Sequence, residues 1–155
     1  MSVISFRGPS KKETKKTIQN ILVKDYMSRD VITFRKSDSI YYAMQELLNN
    51  KISGAPIVNK YGKIVGIISE TDIMKNIVDS QYYNMPISKT KVSKYMKKSV
   101  DCISPNEIIF GAASEFIKLN RKRFPVMISD KIVGIISRVD IISAAVNIRS
   151  QMWGN

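Results

Sequence analysis

The chain has 155 residues, 44% of them hydrophobic, which suits one globular domain with a real core. It holds one cysteine and no histidine, which excludes an intramolecular disulfide, a Cys/His zinc site and Ser-His or Cys-His catalysis. The formal net charge is +12, with the basic excess in residues 1–24, 79–98 and 118–123. We predict no catalytic residue and no metal site. With no membrane-length apolar run and no signal-peptide pattern, a cytoplasmic protein without a membrane partner is expected.

The chain begins with a segment that predicts a tail, followed by a strand and a helix. Residues 1–22 are rich in lysine and are expected to form a basic tail. "DVITFR" at residues 30–35 predicts a strand, and Ser37 or Ser39 can cap the helix that follows. The apolar residues of this helix recur at helical spacing: Ile40, Ala43, Met44, Leu47 and Leu48.

Two more strands and a second helix complete this unit. "APIVN" and "KIVGIIS" predict short strands joined by a turn at Tyr61-Gly62. A helix is then expected from about residue 70 to residue 79, with an apolar face of Ile73, Ile77 and Val78. The predicted order is strand, helix, strand, strand, helix, which belongs to the α/β (α+β) class.

The same order of elements occurs a second time. "VKDYMSRDV" from residue 23 matches "VSKYMKKSV" from residue 92, and "KIVGIISETDI" from residue 63 matches "KIVGIISRVDI" from residue 131. The second unit predicts a strand at "VDCIS", a helix over 106–119, strands at "FPVMI" and "KIVGIIS", and a helix from 138 to about 148. A small sheet with two helices leaves an apolar face uncovered, so the two units should pack together. The expected division is a tail (1–22), repeat 1 (23–78), a connector (79–91), repeat 2 (92–146) and a C-terminal tail (147–155).

The repeated strand ends in a serine followed three residues later by an aspartate. Ser69 with Asp72, and Ser137 with Asp140, fit a capping box at the start of each following helix, which is the simpler interpretation. The same geometry also suits a nucleotide. The strand glycine leaves room for another group to approach the backbone, the helix N-terminus attracts phosphate, and a carboxylate can accept both hydroxyl protons of a ribose.

These motifs resemble those of a tandem pair of cystathionine-β-synthase (CBS) domains, also called a Bateman module. The matching stretches are "VKDYM", "DVITF", "SGAPIVN" and "GIISETDI" in one repeat, and "VSKYM", "SVDCIS", "RKRFPVMI" and "GIISRVDI" in the other. The resemblance implies two repeats packed with pseudo-twofold symmetry. It also implies two clefts between the repeats that bind AMP, ADP or ATP, or alternatively S-adenosylmethionine, and no other cofactor. A regulatory, non-catalytic role, a homodimer formed through the helices, and a separate target protein are implied as well.

The resemblance also implies roles for particular residues. Asp72 and Asp140 would hold ribose hydroxyls, with Ser69 and Ser137 near the ribose or phosphate. Ile32, Thr33, Cys102 and Ile103 would flank adenine. The segment before the repeated proline would contact phosphate in the second repeat, through Lys122 and Arg123. The predicted binding residues also include Thr71 and Arg138 after the two serines, and the residues around the repeated proline: Gly54, Ala55, Pro56, Phe124 and Pro125.

The two clefts are not expected to be equivalent. Arg138 follows Ser137 in the second repeat, whereas Glu70 follows Ser69 in the first, where a carboxylate would oppose phosphate. The second-repeat cleft, to which Lys122 and Arg123 are assigned, should therefore take the phosphate end of a nucleotide. The first should prefer a less anionic adenosine derivative. The alternative for the basic "RKR" run is a solvated loop.

Two other functions compete with nucleotide binding. The charge of +12 suits a nucleic-acid-binding protein built on this scaffold, although no RNP, helix-turn-helix or zinc-finger pattern occurs. A purely structural dimer with empty clefts is the other alternative. An enzyme is disfavoured, because the sequence holds no P-loop or HExxH motif.

Overall fold

The computed structural model describes residues 21–153, so most of the predicted basic tail lies outside the described residues. Each repeat contains a helix, a β-hairpin and a second helix. In the first these are α1 (Ile40–Asn49), β1 (Gly54–Val58), β2 (Ile64–Ser69) and α2 (Glu70–Tyr83). In the second they are α3 (Ile109–Leu119), β3 (Arg123–Ile128), β4 (Lys131–Ser137) and α4 (Arg138–Trp153). Single 3-10 turns occur at Val23–Asp25, Ile87–Lys89 and Val92–Lys94.

Both hairpins form where they were predicted. β1 and β2 pair antiparallel with Ile57 opposite Gly66, and β3 and β4 pair in the same way with Val126 opposite Gly134. The predicted turn at Tyr61-Gly62 is confirmed, with Gly62 at a φ of 77°. The two hairpins have equivalent registers, as the repeated sequence requires.

The predicted first strand of each repeat is wrong, because each is reduced to a single bridged residue. Phe34 bridges Ile57 in parallel, and Ile103 bridges Val126 in the same way. Phe34 donates its N–H to the Pro56 carbonyl at 3.0 Å, but Pro56 has no N–H to continue the ladder toward Ile32. Pro125 stops the equivalent ladder beside Ile103, so the repeated proline explains both short pairings.

The helices follow the predicted positions with corrections at their faces and ends. Ser39 caps α1, and its Oγ accepts the Tyr42 N–H at 3.1 Å. Leu48, predicted on the apolar face of α1, is 77% exposed. In α2 only Ile73 of the predicted face is buried, and Ile77 and Val78 are exposed. The helix instead buries a polar ridge of Asp72, Asn76 and Ser80. α2 continues to Tyr83 and α4 to Trp153, whereas α3 starts at Ile109.

The hydrophobic core of each repeat is completed by a segment of the other repeat. The core of the first repeat is completed by buried Val92, with Tyr95 and Met96 packed against it. The core of the second is completed by buried Val23, with Tyr26 and Met27 packed against it. Each "V-x-x-YM" segment therefore packs against the other repeat, which explains why neither unit needs to bury its sheet alone. We call residues 23–32 and 92–101, which begin with these segments, the exchanged segments.

The exchanged segments also pair with the strands that they cross. Ser28 exchanges two backbone hydrogen bonds of 2.9 Å with Ile135 in β4, and Lys97 exchanges two of 2.9 Å with Ile67 in β2. Each hairpin thus gains a short third partner from the other repeat. Between residues 21 and 153, no helix combines the length and the apolar content needed to span a membrane.

Candidate functional site

Two open clefts lie between the repeats, and each takes residues from both. We call them the Asp72 cleft and the Asp140 cleft. The Asp72 cleft is lined by residues 53–54, 67–72, 97, 99–101 and 120–123. The Asp140 cleft is lined by residues 28, 30–32, 51–54, 122–123, 135 and 137–140. Their volumes are about 200 Å³ and about 540 Å³, so the Asp140 cleft is the one within the usual range for small-molecule sites.

Both predicted capping boxes are confirmed. Ser69 donates its N–H and its hydroxyl to Asp72 Oδ2 at 2.9 and 2.8 Å. Ser137 donates the same two groups to Asp140 Oδ2 at 2.7 and 2.8 Å. One oxygen of each carboxylate is therefore committed to the start of its own helix, where negative charge is favourable.

The two aspartates differ in how far they can be reached. Asp72 is 1% exposed, whereas Asp140 is half-buried at the wall of the larger cleft. Asp140 is therefore the more exposed of the two carboxylates that line the clefts. The ribose role inferred for both residues stays a prediction, and the geometry favours Asp140.

Within the basic run, Lys122 and Arg123 line the Asp140 cleft to which they were assigned, and they line the Asp72 cleft as well. Arg121 lines the Asp72 cleft, and its Nη2 lies 2.6 Å from Asp101 Oδ2. Lys122 lines both clefts, and its Nζ lies 2.5 Å from Glu70 Oε1. Each of these two cations is thus paired with an acid that lines the same cleft, and only the Lys122–Glu70 pair joins the two repeats.

Arg123 lines both clefts and has a different environment. Its Nη1 donates to the Gly54 carbonyl at 2.8 Å and its Nη2 donates to Ser53 Oγ. No carboxylate lies within salt-bridge distance of it in the part of the chain that the structure describes. Burial lowers the pKa of Arg123, and the charge of Glu70 acts in the opposite direction. The guanidinium stays charged and is held only by neutral acceptors.

The other predicted residues divide between the clefts and the core. Ile32 and Arg138 line the Asp140 cleft, and Thr71 lines the Asp72 cleft. Arg138 also donates to the Arg121 carbonyl at 2.6 Å, which fixes the start of α4 against the basic run. Gly54 lines both clefts. The remaining predicted residues lie outside both linings, several of them in the core: Thr33, Ala55, Pro56, Cys102, Ile103, Phe124 and Pro125.

Residues that sequence reasoning missed come mainly from the exchanged segments. Lys97 and residues 99–101 line the Asp72 cleft, and Ser28 with residues 30–31 line the Asp140 cleft in the equivalent way, beside the predicted Ile32. The alignment of the two repeats makes these two stretches equivalent, and this equivalence could have identified both as cleft residues from the sequence. Cys102 follows them, and burial together with the charge of Asp101 raises the pKa of its thiol.

Known proteins with this arrangement include relatives and solved structures. The uncharacterized protein MJ1426 of Methanocaldococcus jannaschii is 33% identical over 155 aligned positions, covering 81% of this chain and 92% of that protein. The CBS domain pair of MJ0100, solved with 5′-methylthioadenosine and S-adenosyl-L-methionine, is 31% identical with a TM-score of 0.70, covering 81% and 96%. CBSX2 of Arabidopsis thaliana, solved with AMP, shares the fold at 22% identity and a TM-score of 0.73, covering 83% and 98%.

The two-repeat fold and the tandem CBS resemblance are therefore confirmed. The family model of the CBS domain matches this chain twice, at residues 23–79 and 92–147. These two matches cover both hairpins, both exchanged segments, the first helix of each repeat and most of the second. The chain belongs to the CBS domain family.

Proposed function

We propose that this protein is a non-catalytic regulatory module that binds adenosine nucleotides in the clefts between its two CBS repeats. The observation that supports it most is the Asp140 cleft, which joins a half-buried carboxylate at a helix N-terminus to the Arg123 guanidinium, which has no carboxylate within salt-bridge distance among the described residues. Ligand binding changes the relative arrangement of the repeats to the extent that the ligand prefers one arrangement. A separate target protein receives that change.

The Asp140 cleft offers a complementary group to each part of AMP. The second oxygen of Asp140 accepts from the ribose hydroxyls, and Arg123 and Lys51 attract the phosphate. Ile32 and the apolar wall around it provide a surface for the adenine ring. AMP, ADP and ATP share all of these groups, so we propose the class of adenosine nucleotides and not one member of it.

The Asp72 cleft favours a less anionic adenosine compound. A phosphate entering it has to separate Lys122 from Glu70 or Arg121 from Asp101, or to lie beside those carboxylates. A compound such as 5′-methylthioadenosine or S-adenosylmethionine has no phosphate and avoids that cost. The MJ0100 domain pair was solved with both of these compounds, which supports phosphate-free adenosine compounds as one class of ligand for this fold.

Thermal unfolding with added ligands tests the proposal against its alternatives. At 100 times its dissociation constant, a nucleotide adds about 2.7 kcal/mol of stability, so AMP, ADP, ATP or S-adenosylmethionine should raise the Tm clearly. A short RNA serves as the competitor, at low and high salt. If the adenosine compounds leave the Tm unchanged and RNA raises it only at low salt, the nucleic-acid function replaces this one.

The helices also carry apolar residues that favour a homodimer. Leu48 in α1 is 77% exposed, Ile117 in α3 is 82% exposed and Ile142 in α4 is 62% exposed. We expect the helix faces to be covered by a second copy of the chain. Sedimentation should give twice the mass of 17.6 kDa, and Ile142→Glu with Ile117→Glu should give the monomer. A monomeric wild-type protein at micromolar concentration would contradict the dimer.

A further inference from the structure

The two clefts share one wall. Ser53, Gly54, Lys122 and Arg123 line both of them. Ser53 and Gly54 come from the first repeat, and the two basic residues come from the second. A charged ligand on one side of this wall is therefore close to the groups that serve the other side.

The wall carries one cation that is free to bind an anion. Lys122 is engaged with Glu70, so releasing it leaves a carboxylate unpaired. Arg123 donates to two neutral acceptors, so its guanidinium can turn toward a phosphate without leaving a carboxylate unpaired. Because Arg123 is half-buried, solvent and salt screen its charge less than that of a surface arginine.

We propose that the two clefts are negatively coupled for phosphorylated ligands and independent for neutral ones. The inference rests on the proposed adenosine nucleotide function. A first phosphate pairs with Arg123 and neutralises it. A second phosphate, in the other cleft, then has no free Arg123 to pair with and is repelled by the first phosphate across the shared wall. A nucleoside without phosphate does not pair with Arg123. Its binding in one cleft therefore leaves the affinity of the other cleft unchanged.

The coupling has to be separated from the intrinsic difference between the clefts. Thr71 and Val139 are equivalent in the two repeats, are exposed, and line one cleft each. Thr71→Trp fills the Asp72 cleft and Val139→Trp fills the Asp140 cleft with uncharged bulk. Each variant reports the affinity of the remaining cleft alone. The product of these two single-cleft association constants is compared with the product of the two stepwise association constants of the unaltered protein. Any intrinsic difference in affinity between the clefts cancels in this comparison.

Isothermal titration with AMP and adenosine gives the result. For AMP, the product of the single-cleft association constants should exceed that of the unaltered protein by about tenfold or more, the size of one lost charge-assisted hydrogen bond. For adenosine the two products should agree. Equal products for AMP overturn the coupling and leave the proposed function standing. Binding of neither ligand to the unaltered protein overturns both.

Substitution of Arg123 tests whether the cation is shared. Arg123→Gln, placed in each tryptophan variant, should weaken AMP binding by about tenfold in both clefts and leave adenosine unchanged. Lys118→Gln is the matched control, because Lys118 is exposed, lines neither cleft and changes the net charge equally. An effect of Arg123→Gln on one cleft alone overturns the sharing.

A measurement without tryptophan variants covers the case in which they fail to fold. In the unaltered protein, the ratio of the first to the second AMP constant should fall as salt rises, because salt screens the repulsion across the wall. The same ratio for adenosine should not change with salt. A ratio for AMP that is independent of salt contradicts the coupling.

Discussion

Replacing Gly134 with alanine is expected to destabilise the protein by about 1–3 kcal/mol, the range for overpacking a filled core. The new Cβ would lie 2.6 Å from Met27 Sδ and 2.8 Å from the Ser28 carbonyl oxygen. The methionine can turn away, but the carbonyl accepts the Ile135 N–H at 2.9 Å and cannot move without breaking that pairing. Urea unfolding should show a lower midpoint with an unchanged m-value.

Equivalent and control substitutions make this test specific. Gly66→Ala should behave alike, because its Cβ would lie 2.9 Å from both Met96 Sδ and the Lys97 carbonyl. Gly111→Ala is the control, since its Cβ meets only the flexible Glu107 side chain and a helix gains up to about 1 kcal/mol from the exchange. If Gly134→Ala unfolds at the same urea concentration as wild type, the exchanged segment does not cross β4.

The role of these glycines shows what the sequence could and could not predict. The repeat itself predicted the hairpins, the turn at Gly62 and the capped starts of α2 and α4, because these depend on neighbouring residues. The glycines were expected to admit another group to the strand backbone, and one does approach. It is the chain's own Met27 or Met96, brought from the other repeat by contacts that no local pattern encodes.

The errors in secondary structure have similar causes. The apolar stretch at residues 30–35 has strand propensity, but Pro56 opposite it cannot donate the next hydrogen bond, and a proline's effect on a partner strand is not visible locally. In α2 the helical period placed Ile77 inward. The helix instead turns Asn76 inward, where both amide atoms are buried without a partner among the described residues. Tertiary packing decided that face, not periodicity.

The candidate site was predicted in its residue types and not in its assembly. Ser69, Asp72, Ser137 and Asp140 were identified because the capping box and the nucleotide interpretation use the same residues. The basic run was assigned to one cleft only, because the sequence places it just before the proline of the second repeat. In the structure the clefts lie between the repeats, so Lys122 faces Glu70 of the other repeat.

The Asp140→Asn substitution is expected to weaken AMP binding by about tenfold to a hundredfold. Asparagine can keep one oxygen on the Ser137 N–H, but it then presents an NH₂ group where the ribose hydroxyls need an acceptor. A hydrogen bond to a charged group contributes about 1.5–3 kcal/mol, which corresponds to this range. Adenosine should lose as much as AMP, because the lost contact is to the ribose. Titration calorimetry with both ligands measures the two losses.

The equivalent Asp72→Asn substitution provides the comparison that decides between the clefts. Asp72 is 1% exposed, so its replacement should change AMP affinity much less than the replacement of Asp140 does. Both variants keep the capping geometry and lose one charge near a helix N-terminus, which costs each about 0.3–1 kcal/mol of stability. Because Asp72 is the more buried of the two, the unfolding of each variant is measured alongside its AMP affinity. Equal losses of AMP affinity would refute the asymmetry, and no loss in either variant would remove both carboxylates from the binding site.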